Sequence, residues 1–278
     1  MRHLVIGLGS IGKRHYRLLE EAGEEVCGID KNPVKNEGCG IDFKTADMIW
    51  VCTTEDAKEM FVKQGVANGK KVFVEKPYFG DEQVFVACNY RFHPAVKVLK
   101  ENLHKVGEIL YSRIHHSHYL PYQRENWKEY MKDTNIVKDV GWHFVDLALW
   151  LFGEGTENAG CHKAWISQGI HEFFFEDRTS IQINHDNEIT TNICIDYLRR
   201  DKSWGIEIVG KNGTLLLEYR FHPDGDIYHV KSVIDNVNDY FYCATVGKDE
   251  MYKNQLDHLL KEFKPNIEEV KEVAKICG

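Results

Sequence analysis

The chain has 278 residues, 43% of them apolar and 28% charged, which is enough to bury a substantial core in one large domain or two smaller ones. This composition excludes a disordered or fibrous protein. The formal net charge of −8 gives no general attraction to nucleic acid or to anionic membranes, so any phosphate binding must come from a local arrangement of residues.

Neither the apolar stretches nor the cysteines indicate export. The N-terminal stretch MRHLVIGLGS is too short and too interrupted for a signal-peptide core, and the later stretch FVDLALWLFG contains an Asp and is about half a membrane span long. The 8 cysteines are scattered without a C-x-x-C pair, which predicts reduced core thiols instead of a disulfide frame or a zinc site. We therefore expect a cytoplasmic protein without a membrane or nucleic-acid partner and without a bound metal.

The first thirty residues predict a strand, a glycine turn, a helix and a second strand. Residues 4–6 form the first strand, Gly7-x-Gly9-x-x-Gly12 forms the turn, and the second strand ends at Asp30, eighteen residues after the last glycine. A lone G-x-G-x-x-G is weak evidence, but a strand before it, a helix after it and an acid at the end of the next strand are typical of a dinucleotide site.

Each part of this turn has its own expected role. Gly7 permits the tight turn, Gly9 lets the backbone approach a pyrophosphate, and Gly12 lets the helix pack closely on the strand. The free N–H groups at the helix start, including those of Ser10 and Ile11, would face the phosphates. Asp30 would accept hydrogen bonds from the ribose hydroxyls and repel a 2′-phosphate, which favours NAD; the adjacent Lys31 softens this preference, and NADP stays possible.

A second strand, helix and strand follow, with strands at 48–52 and 72–74 and a helix opened by Thr54. This alternation predicts a doubly wound parallel sheet, in which ligands bind at the carboxyl ends of the strands. Thr53 and the Glu75-Lys76-Pro77 corner are expected at that edge. Lys76 has two interpretations here, either as a solvated or paired surface cation or as a partly desolvated group that polarises a substrate hydroxyl.

The connection that follows this corner is unusually short. Residues 78–83 supply only six residues before the next apolar run at 84–87. A parallel crossover normally needs a dozen or more residues, whereas six extended residues span roughly 20 Å, about one strand length. A bare extended crossover and an antiparallel hairpin therefore both stay open, as does a cis Lys76–Pro77 bond.

The rest of the chain predicts a second domain. Pro94 can open a helix that stops at Gly107, and the stretch DVGWHFVDLALWLFG predicts another helix, with Asp139 and His143 four residues apart on one face. Afterwards the apolar residues alternate with period two, which predicts an antiparallel sheet with one buried face. We place the boundary near His93, giving domains of 1–93 and 94–278, the second an α+β domain with a mostly antiparallel open sheet.

Four motifs occur in one order: G-x-G-x-x-G-x-R-H, E-K-P at 75–77, NYRFHP at 89–94 and DVGWHFVDLALWLFG at 139–153. Together they resemble the Gfo/Idh/MocA family of NAD(P)-dependent sugar and polyol dehydrogenases, and the resemblance runs almost from end to end. The stretches YLPYQRENWKEYM and IDYLRRDKSWGIEIVG are most similar to members associated with surface-polysaccharide and sialic-acid-type sugar pathways.

The resemblance implies the site residues. Lys76, Asp139 and His143 are the implied catalytic residues, although an isolated D-x-x-x-H would more readily be a helix cap and a core histidine. The implied reaction oxidises a secondary alcohol, with His143 accepting the hydroxyl proton, Lys76 polarising the oxygen and Asp139 orienting the substrate or the imidazole. Asp146 matches a further family position that we interpret as mainly structural. The cofactor-binding set is Gly7, Gly9, Ser10, Ile11, Gly12, Asp30, Thr53, Glu75, Lys76, Asn89 and Arg91.

Further substrate contacts are expected from Tyr119, Arg124, Trp127 and Lys128, although each could be an ordinary surface residue. The histidines of HHSH, residues 115–118, lack an acid or cysteine at metal-ligand spacing, so substrate contact or a plain strand is the better interpretation. The family also implies association of subunits through the second-domain sheet. The connection at 78–83 and the segment CTTEDAK, which lacks the proline and histidine often found there, depart from the family.

Three hypotheses for the function follow. The first is an oxidoreductase that moves a hydride between NAD(P) and a secondary alcohol of a sugar, polyol or nucleotide sugar. The second is a nicotinamide-dependent sensor or regulatory module on the same fold, which would need the glycine turn but not Lys76, Asp139 and His143. The third is an NAD-dependent glycosidase, in which the same oxidation opens an elimination route.

Overall fold

The computed structural model describes residues 1–32, 36–37, 40–123, 125–132, 134–155, 161–165, 175–221 and 226–278, with the backbone alone for 161–165. These residues form two compact units. Unit 1 comprises Met1–Asn89 and Tyr252–Ala274, and unit 2 comprises Tyr90–Met251 and Lys275–Gly278. The first break lies close to the predicted boundary at 93/94. The predicted second domain ran to residue 278, whereas in the structure residues Tyr252–Ala274 belong to unit 1. The sequence pattern of a helix does not show which distant part of the chain the helix packs against.

Unit 1 contains a five-stranded sheet in which every strand pair is parallel. Its strand order is β2-β1-β3-β4-β5, so the order reverses between β1 and β3, as at the switch point of a doubly wound fold. This confirms the predicted Rossmann architecture. The elements are β1 Arg2–Ile6, α1 Ser10–Glu21, β2 Glu25–Ile29, β3 Met48–Val51, α2 Glu55–Ala67, β4 Lys71–Val74 and β5 Phe85–Val86, joined from the C-terminus by helices at Glu250–Lys261 and Ile267–Cys277.

The short connection after β4 forms a parallel crossover, not a hairpin, because Phe73 pairs with Phe85 and Val74 with Val86 in parallel register. The Lys76–Pro77 peptide bond within it is cis. The outer edge of β5 is capped by Asn266: the Val86 N–H donates to its Oδ1 at 2.7 Å, and its Nδ2 donates to the Val86 carbonyl at 3.0 Å. One amide side chain thus satisfies two edge groups that a sixth strand would otherwise pair.

Unit 2 is built on an eight-stranded sheet of order β13-β12-β11-β10-β6-β9-β8-β7, in which β6 and β9 are parallel and the other pairs are antiparallel. This confirms a mostly antiparallel second sheet. The elements are α3 Pro94–Glu101, β6 Ile109–Ser117, α4 Leu120–Gln123, α5 Trp127–Tyr130, α6 Trp142–Phe152, β7 Cys161–Trp165, β8 Arg178–Asn184, β9 Thr190–Asp196, β10 Ser203–Gly210, β11 Gly213–Arg220, β12 Ile227–Ile234 and β13 Val237–Thr245. The two C-terminal helices named above are α7 and α8.

The period-two pattern of this sheet translates into one buried face, as predicted. Alternate apolar side chains on β8, β9, β10 and β11 are at most 2% exposed, while the residues between them are polar or partly exposed. The buried set is Ile181, Ile183, Ile193, Ile195, Ile206, Ile208, Leu215 and Leu217. Of the helices that the structure describes, none is long and apolar enough to cross a membrane.

Candidate active site

The glycine turn joins β1 to α1, and two of its glycines are required by the fold itself. Gly7 has φ of +90°, and a Cβ there would lie 2.7 Å from the Cys52 carbonyl oxygen. A Cβ on Gly12 would lie only 1.8 Å from the Gly7 carbonyl oxygen. Gly9 is different, because a Cβ there would meet no described atom within 4 Å. Gly9 is therefore dispensable for packing, and its bare backbone faces open space.

That space is a cavity of about 420 Å³ at the carboxyl ends of β1, β2 and β3. The hydroxyl oxygen of Thr53 is buried in its wall and has no hydrogen-bond partner among the described residues. The start of α1 also lacks a side-chain cap, so its N–H groups are available to an anion. The lining consists of Ile6, Gly7, Gly9, Ile29, Asp30, Lys31, Cys52, Thr53, Thr54, Ala57 and Phe61.

Asp30 lies at the end of β2 with its carboxylate held by backbone groups. The Leu8 N–H donates to Oδ2 at 2.7 Å and the Asn32 N–H donates to Oδ1 at 2.9 Å. The first of these bonds ties the acid to the glycine turn. A carboxylate has about four acceptor positions, so the fixed group can still accept hydrogen bonds from a ligand.

These features fit a dinucleotide. The uncapped helix start and the open side of Gly9 suit a pyrophosphate, the fixed carboxylate of Asp30 suits ribose hydroxyls, and the apolar wall that includes Ile29 and Phe61 suits a flat aromatic ring. The unsatisfied Thr53 hydroxyl supplies a further polar contact. The predicted cofactor residues Gly7, Gly9, Asp30 and Thr53 are thereby brought together around one cavity.

The Glu75-Lys76-Pro77 corner follows β4. Glu75 is buried, and its Oε1 lies 2.7 Å from His15 Nε2 of α1. Burial by itself raises the pKa of Glu75, but the His15 hydrogen bond, the charge of His15 and the nearby Lys76 and Lys58 outweigh it, so the pKa is lowered. Lys76 is partly exposed. The contact with His15 therefore fixes the Glu75-Lys76-Pro77 corner through Glu75, while Lys76 stays partly exposed.

Asn89 and Arg91 belong to the short 3₁₀ turn Asn89–Phe92. Asn89 is buried at the end of unit 1. Arg91 forms a buried bidentate ion pair with Asp146 of α6, with Nε to Oδ2 at 3.0 Å and Nη2 to Oδ1 at 2.6 Å. This pair gives both residues a structural contact, and a role of Asn89 or Arg91 at the cofactor stays a prediction.

Asp139 lies in the π-helical segment Val137–Gly141 that leads into α6. Its two carboxylate oxygens each accept a tyrosine hydroxyl, from Tyr130 at 2.5 Å and from Tyr197 at 2.7 Å. His143, four residues further on, is partly exposed and has its ring centroid 5.2 Å from that of Tyr90. The sequence predicted an orienting role for Asp139, but it did not reveal the two tyrosines that hold the carboxylate.

Two buried histidines from the end of β6 lie in the same unit. His116 Nε2 and His118 Nδ1 are 3.1 Å apart, and the His118 ring lies 5.0 Å from the Tyr197 ring. Burial lowers the pKa of His118 to about 4, with the charge of Asp139 opposing this, and burial also places the pKa of His116 well below its usual value. Both rings are therefore neutral at pH 7. They can hydrogen-bond a substrate but contribute no charge.

The other predicted substrate residues differ in position. The ring of Tyr119 is covered by the Arg200 guanidinium, 3.6 Å from the ring centroid. Trp127 is 8% exposed and packs against Phe175 at 5.5 Å, so the structure gives it a packing contact in place of an open sugar platform. Arg124 lies outside the described residues. Within the described ranges no three His, Cys, Asp or Glu side chains cluster as metal ligands would.

Comparison with known proteins agrees with this geometry. Residues 100–216 match the GFO/IDH/MocA C-terminal domain. Inositol 2-dehydrogenase 2 of Saccharopolyspora erythraea is 24% identical over 257 residues, which covers 79% of this chain and 72% of that protein. D-apiose dehydrogenase of Paraburkholderia graminis is also 24% identical, but over 63% of this chain and only 52% of the relative.

Two solved structures share the fold over nearly the whole chain. An oxidoreductase from Agrobacterium radiobacter, crystallised with NAD+, L-tartaric acid and magnesium, gives a TM-score of 0.78 at 16% identity and covers 99% of this chain and 94% of its own. UDP-N-acetylglucosamine 3-dehydrogenase GnnA from Acidithiobacillus ferrooxidans gives a TM-score of 0.74 at 14% identity, and the match covers 99% of this chain and 95% of that chain.

The fold and the site together define a two-unit protein with a dinucleotide-type N-terminal unit and a sheet-based second unit. Within unit 2, residues 100–216 match the GFO/IDH/MocA C-terminal domain, and the chain shares its fold with the two solved structures named above.

Proposed function

We propose that the protein is an NAD-dependent dehydrogenase that oxidises a secondary alcohol of a sugar, polyol or nucleotide sugar to a ketone. The observation that carries the proposal is the cavity beside the glycine turn, in which Gly9, Thr53 and Asp30 converge. The activities for which the similar proteins are named, on inositol, apiose and UDP-N-acetylglucosamine, support this substrate class.

The chemistry divides between the cofactor and the chain. NAD held at the glycine turn and Asp30 would supply the acceptor for the hydride that leaves the carbinol carbon. Lys76 polarises the substrate oxygen, an imidazole nitrogen of His143 takes the hydroxyl proton, and Asp139, held by its two tyrosines, orients the substrate. The neutral histidines at the end of β6 add hydrogen-bonding capacity for a polyhydroxylated substrate.

The test is NADH formation, followed by absorbance, with a panel of inositols, pentoses and nucleotide sugars that includes N-acetylated and uronic forms. We expect turnover of at least one of them with NAD. Binding of NAD without turnover of any compound would contradict the proposal in favour of a sensor. Glycosidic products without net NADH would contradict it in favour of the glycosidase.

Cofactor preference gives a prediction at Asp30. Asp30→Asn keeps the shape and one acceptor but removes the charge that repels a 2′-phosphate, and a charge-assisted hydrogen bond contributes about 1.5–3 kcal/mol. The ratio of kcat/KM with NAD to kcat/KM with NADP should therefore fall about tenfold or more. Asp42→Asn is the matched control, because among the described residues Asp42 makes its side-chain hydrogen bonds within its own exposed turn. If Asp30→Asn leaves the ratio of kcat/KM with NAD to kcat/KM with NADP unchanged, Asp30 does not discriminate between the two ribose groups.

The tyrosines around Asp139 give a second prediction. Tyr130→Phe and Tyr197→Phe each remove one donor to the carboxylate. A hydrogen bond to a charged group contributes about 1.5–3 kcal/mol, so kcat/KM for the sugar should fall about 10-fold to 150-fold in each variant. The NAD dissociation constant should stay the same. Tyr122→Phe is the control, since Tyr122 is 67% exposed. Wild-type kcat/KM in both tyrosine variants would contradict an orienting role for Asp139.

Subunit association and location belong to the same proposal. The face of the unit 2 sheet opposite its buried side carries a broad concavity of about 550 Å³ that includes Arg113, Glu207 and Leu216. A second copy covering this face would be consistent with the expected homo-oligomer, and the cytoplasmic location stays a prediction.

A further inference from the structure

A buried lysine without a role in the proposed chemistry lies on α2. Lys58 is 4% exposed, whereas Lys63 on the same helix has a side chain that is 59% exposed. Lysines are almost never fully buried unless they are paired, because burying an ammonium without a partner is costly. The position of Lys58 therefore requires an explanation from what its ammonium contacts.

The ammonium of Lys58 donates a hydrogen bond to the Pro77 carbonyl oxygen at 2.8 Å. Glu75 and Lys76 at the same corner, Glu55 on α2 and Cys52 after β3 are the charged and titratable groups that face it. Burial, the largest effect, lowers the pKa of Lys58 to about 8; Glu75 opposes this and Lys76 adds to it. At pH 7 the group is therefore mostly charged, and it loses its charge at mildly alkaline pH.

Lys76 thus lies between two buried anchors. On its N-terminal side, Glu75 is bonded to His15 of α1 at 2.7 Å, and on its C-terminal side, Pro77 is bonded to Lys58 of α2. The residue before Lys76 and the residue after it are therefore each fixed by a different helix. Because a displacement of about 1 Å in a reacting group can cost roughly 10²-fold in rate, such anchoring has a direct kinetic value.

We propose that Lys58 is a positioning residue of the dehydrogenase, whose buried ammonium fixes the backbone at Lys76–Pro77 and thereby the reach of Lys76 toward the substrate oxygen. This inference rests on the proposed function. It extends that function to a residue that does not line the cavity beside the glycine turn. A charge-assisted hydrogen bond is roughly twice as strong as a neutral one, so the anchoring weakens when Lys58 loses its proton.

The kinetic test compares Lys58→Met, Lys58→Gln and, as a matched surface control, Lys63→Met. We expect kcat at pH 7 to fall about 10-fold to 100-fold in both Lys58 variants, with the NAD dissociation constant within about twofold of the wild type and Lys63→Met unaffected. Because wild-type Lys58 itself becomes neutral above pH 8, the ratio of variant to wild-type kcat should rise toward one by about pH 9.5. A loss of packing would give a ratio that does not change with pH.

Folding provides a readout that is independent of turnover. The pKa of Lys58 is lower in the folded chain than in the unfolded chain, so between about pH 8 and 10.5 the unfolded state binds more protons and the free energy of unfolding rises with pH. The wild type should therefore gain stability relative to Lys58→Met across this window in urea titrations. If the wild type is active but the Lys58 variants have wild-type kcat, this inference is wrong and the proposed function stands. The same holds if the ratio of variant to wild-type kcat does not change with pH. An inactive wild type would overturn the proposed function and this inference with it.

Discussion

Lys76→Met and His143→Ala are each expected to lower kcat by about 10³-fold, within the range of 10²–10⁴ for a positioned acid or base. Lys76→Met keeps most of the side-chain volume but removes the charge that we propose polarises the substrate oxygen. His143→Ala removes the proposed acceptor of the hydroxyl proton. The measurement is NADH formation at saturating substrate, with NAD binding determined separately by titration.

Neither change should weaken NAD binding by more than a few-fold, because the cavity beside the glycine turn is lined by neither residue. Lys63→Met and His104→Ala serve as controls, since both residues are exposed. Turnover retained in both active-site variants would show that these two residues do not carry the reaction.

Gly9→Ala and Gly12→Ala should separate cofactor binding from folding. A methyl group at Gly9 meets no described atom within 4 Å, and φ of −73° is open to alanine, so the free energy of unfolding should change by no more than about 1 kcal/mol, as at a helix N-cap. The same methyl group would occupy the space where a pyrophosphate approaches the backbone. We expect the NAD dissociation constant to rise about 10-fold to 100-fold, since the steric cost falls on the complex alone.

Gly12→Ala should behave in the opposite way. Its methyl group would lie 1.8 Å from the Gly7 carbonyl oxygen, so α1 must shift from β1 before any ligand binds. Overpacking of this kind typically costs about 1–3 kcal/mol and occasionally more, and the unfolding midpoint in urea should fall accordingly. Equal loss of stability in the two variants would contradict the distinct roles assigned to these glycines.

The cavity at the glycine turn, our candidate cofactor site, was predictable because its determinants are local. The glycine spacing, the helix that follows and the acid after the second strand lie within 30 residues of each other, and their placement follows from strand and helix geometry alone. The structure accordingly brings Gly7, Gly9, Asp30 and Thr53 around one cavity.

The environments of the catalytic candidates were not predictable in the same way. The spacing of Asp139 and His143 suggested that the two side chains share a helix face, but the tyrosines that hold Asp139 come from α5 and from the residue after β9. Lys58 was not recognised for a similar reason. Its partner is a main-chain carbonyl 19 residues away. Because every residue has such a carbonyl, no residue type in the sequence identifies this acceptor.

The sequence by itself predicted the Rossmann unit and the mostly antiparallel second sheet, because hydrophobic periodicity and short motifs act over a few residues. The candidate residues Lys76, Asp139 and His143 were implied by the family resemblance, not by the local pattern. Only the tertiary structure decided that β5 pairs in parallel after its short connection, that Asn266 caps its edge, and that His15 and Lys58 anchor the two sides of Lys76. These contacts join residues that are distant in the chain, and they depend on which buried polar groups need a partner once the core has formed.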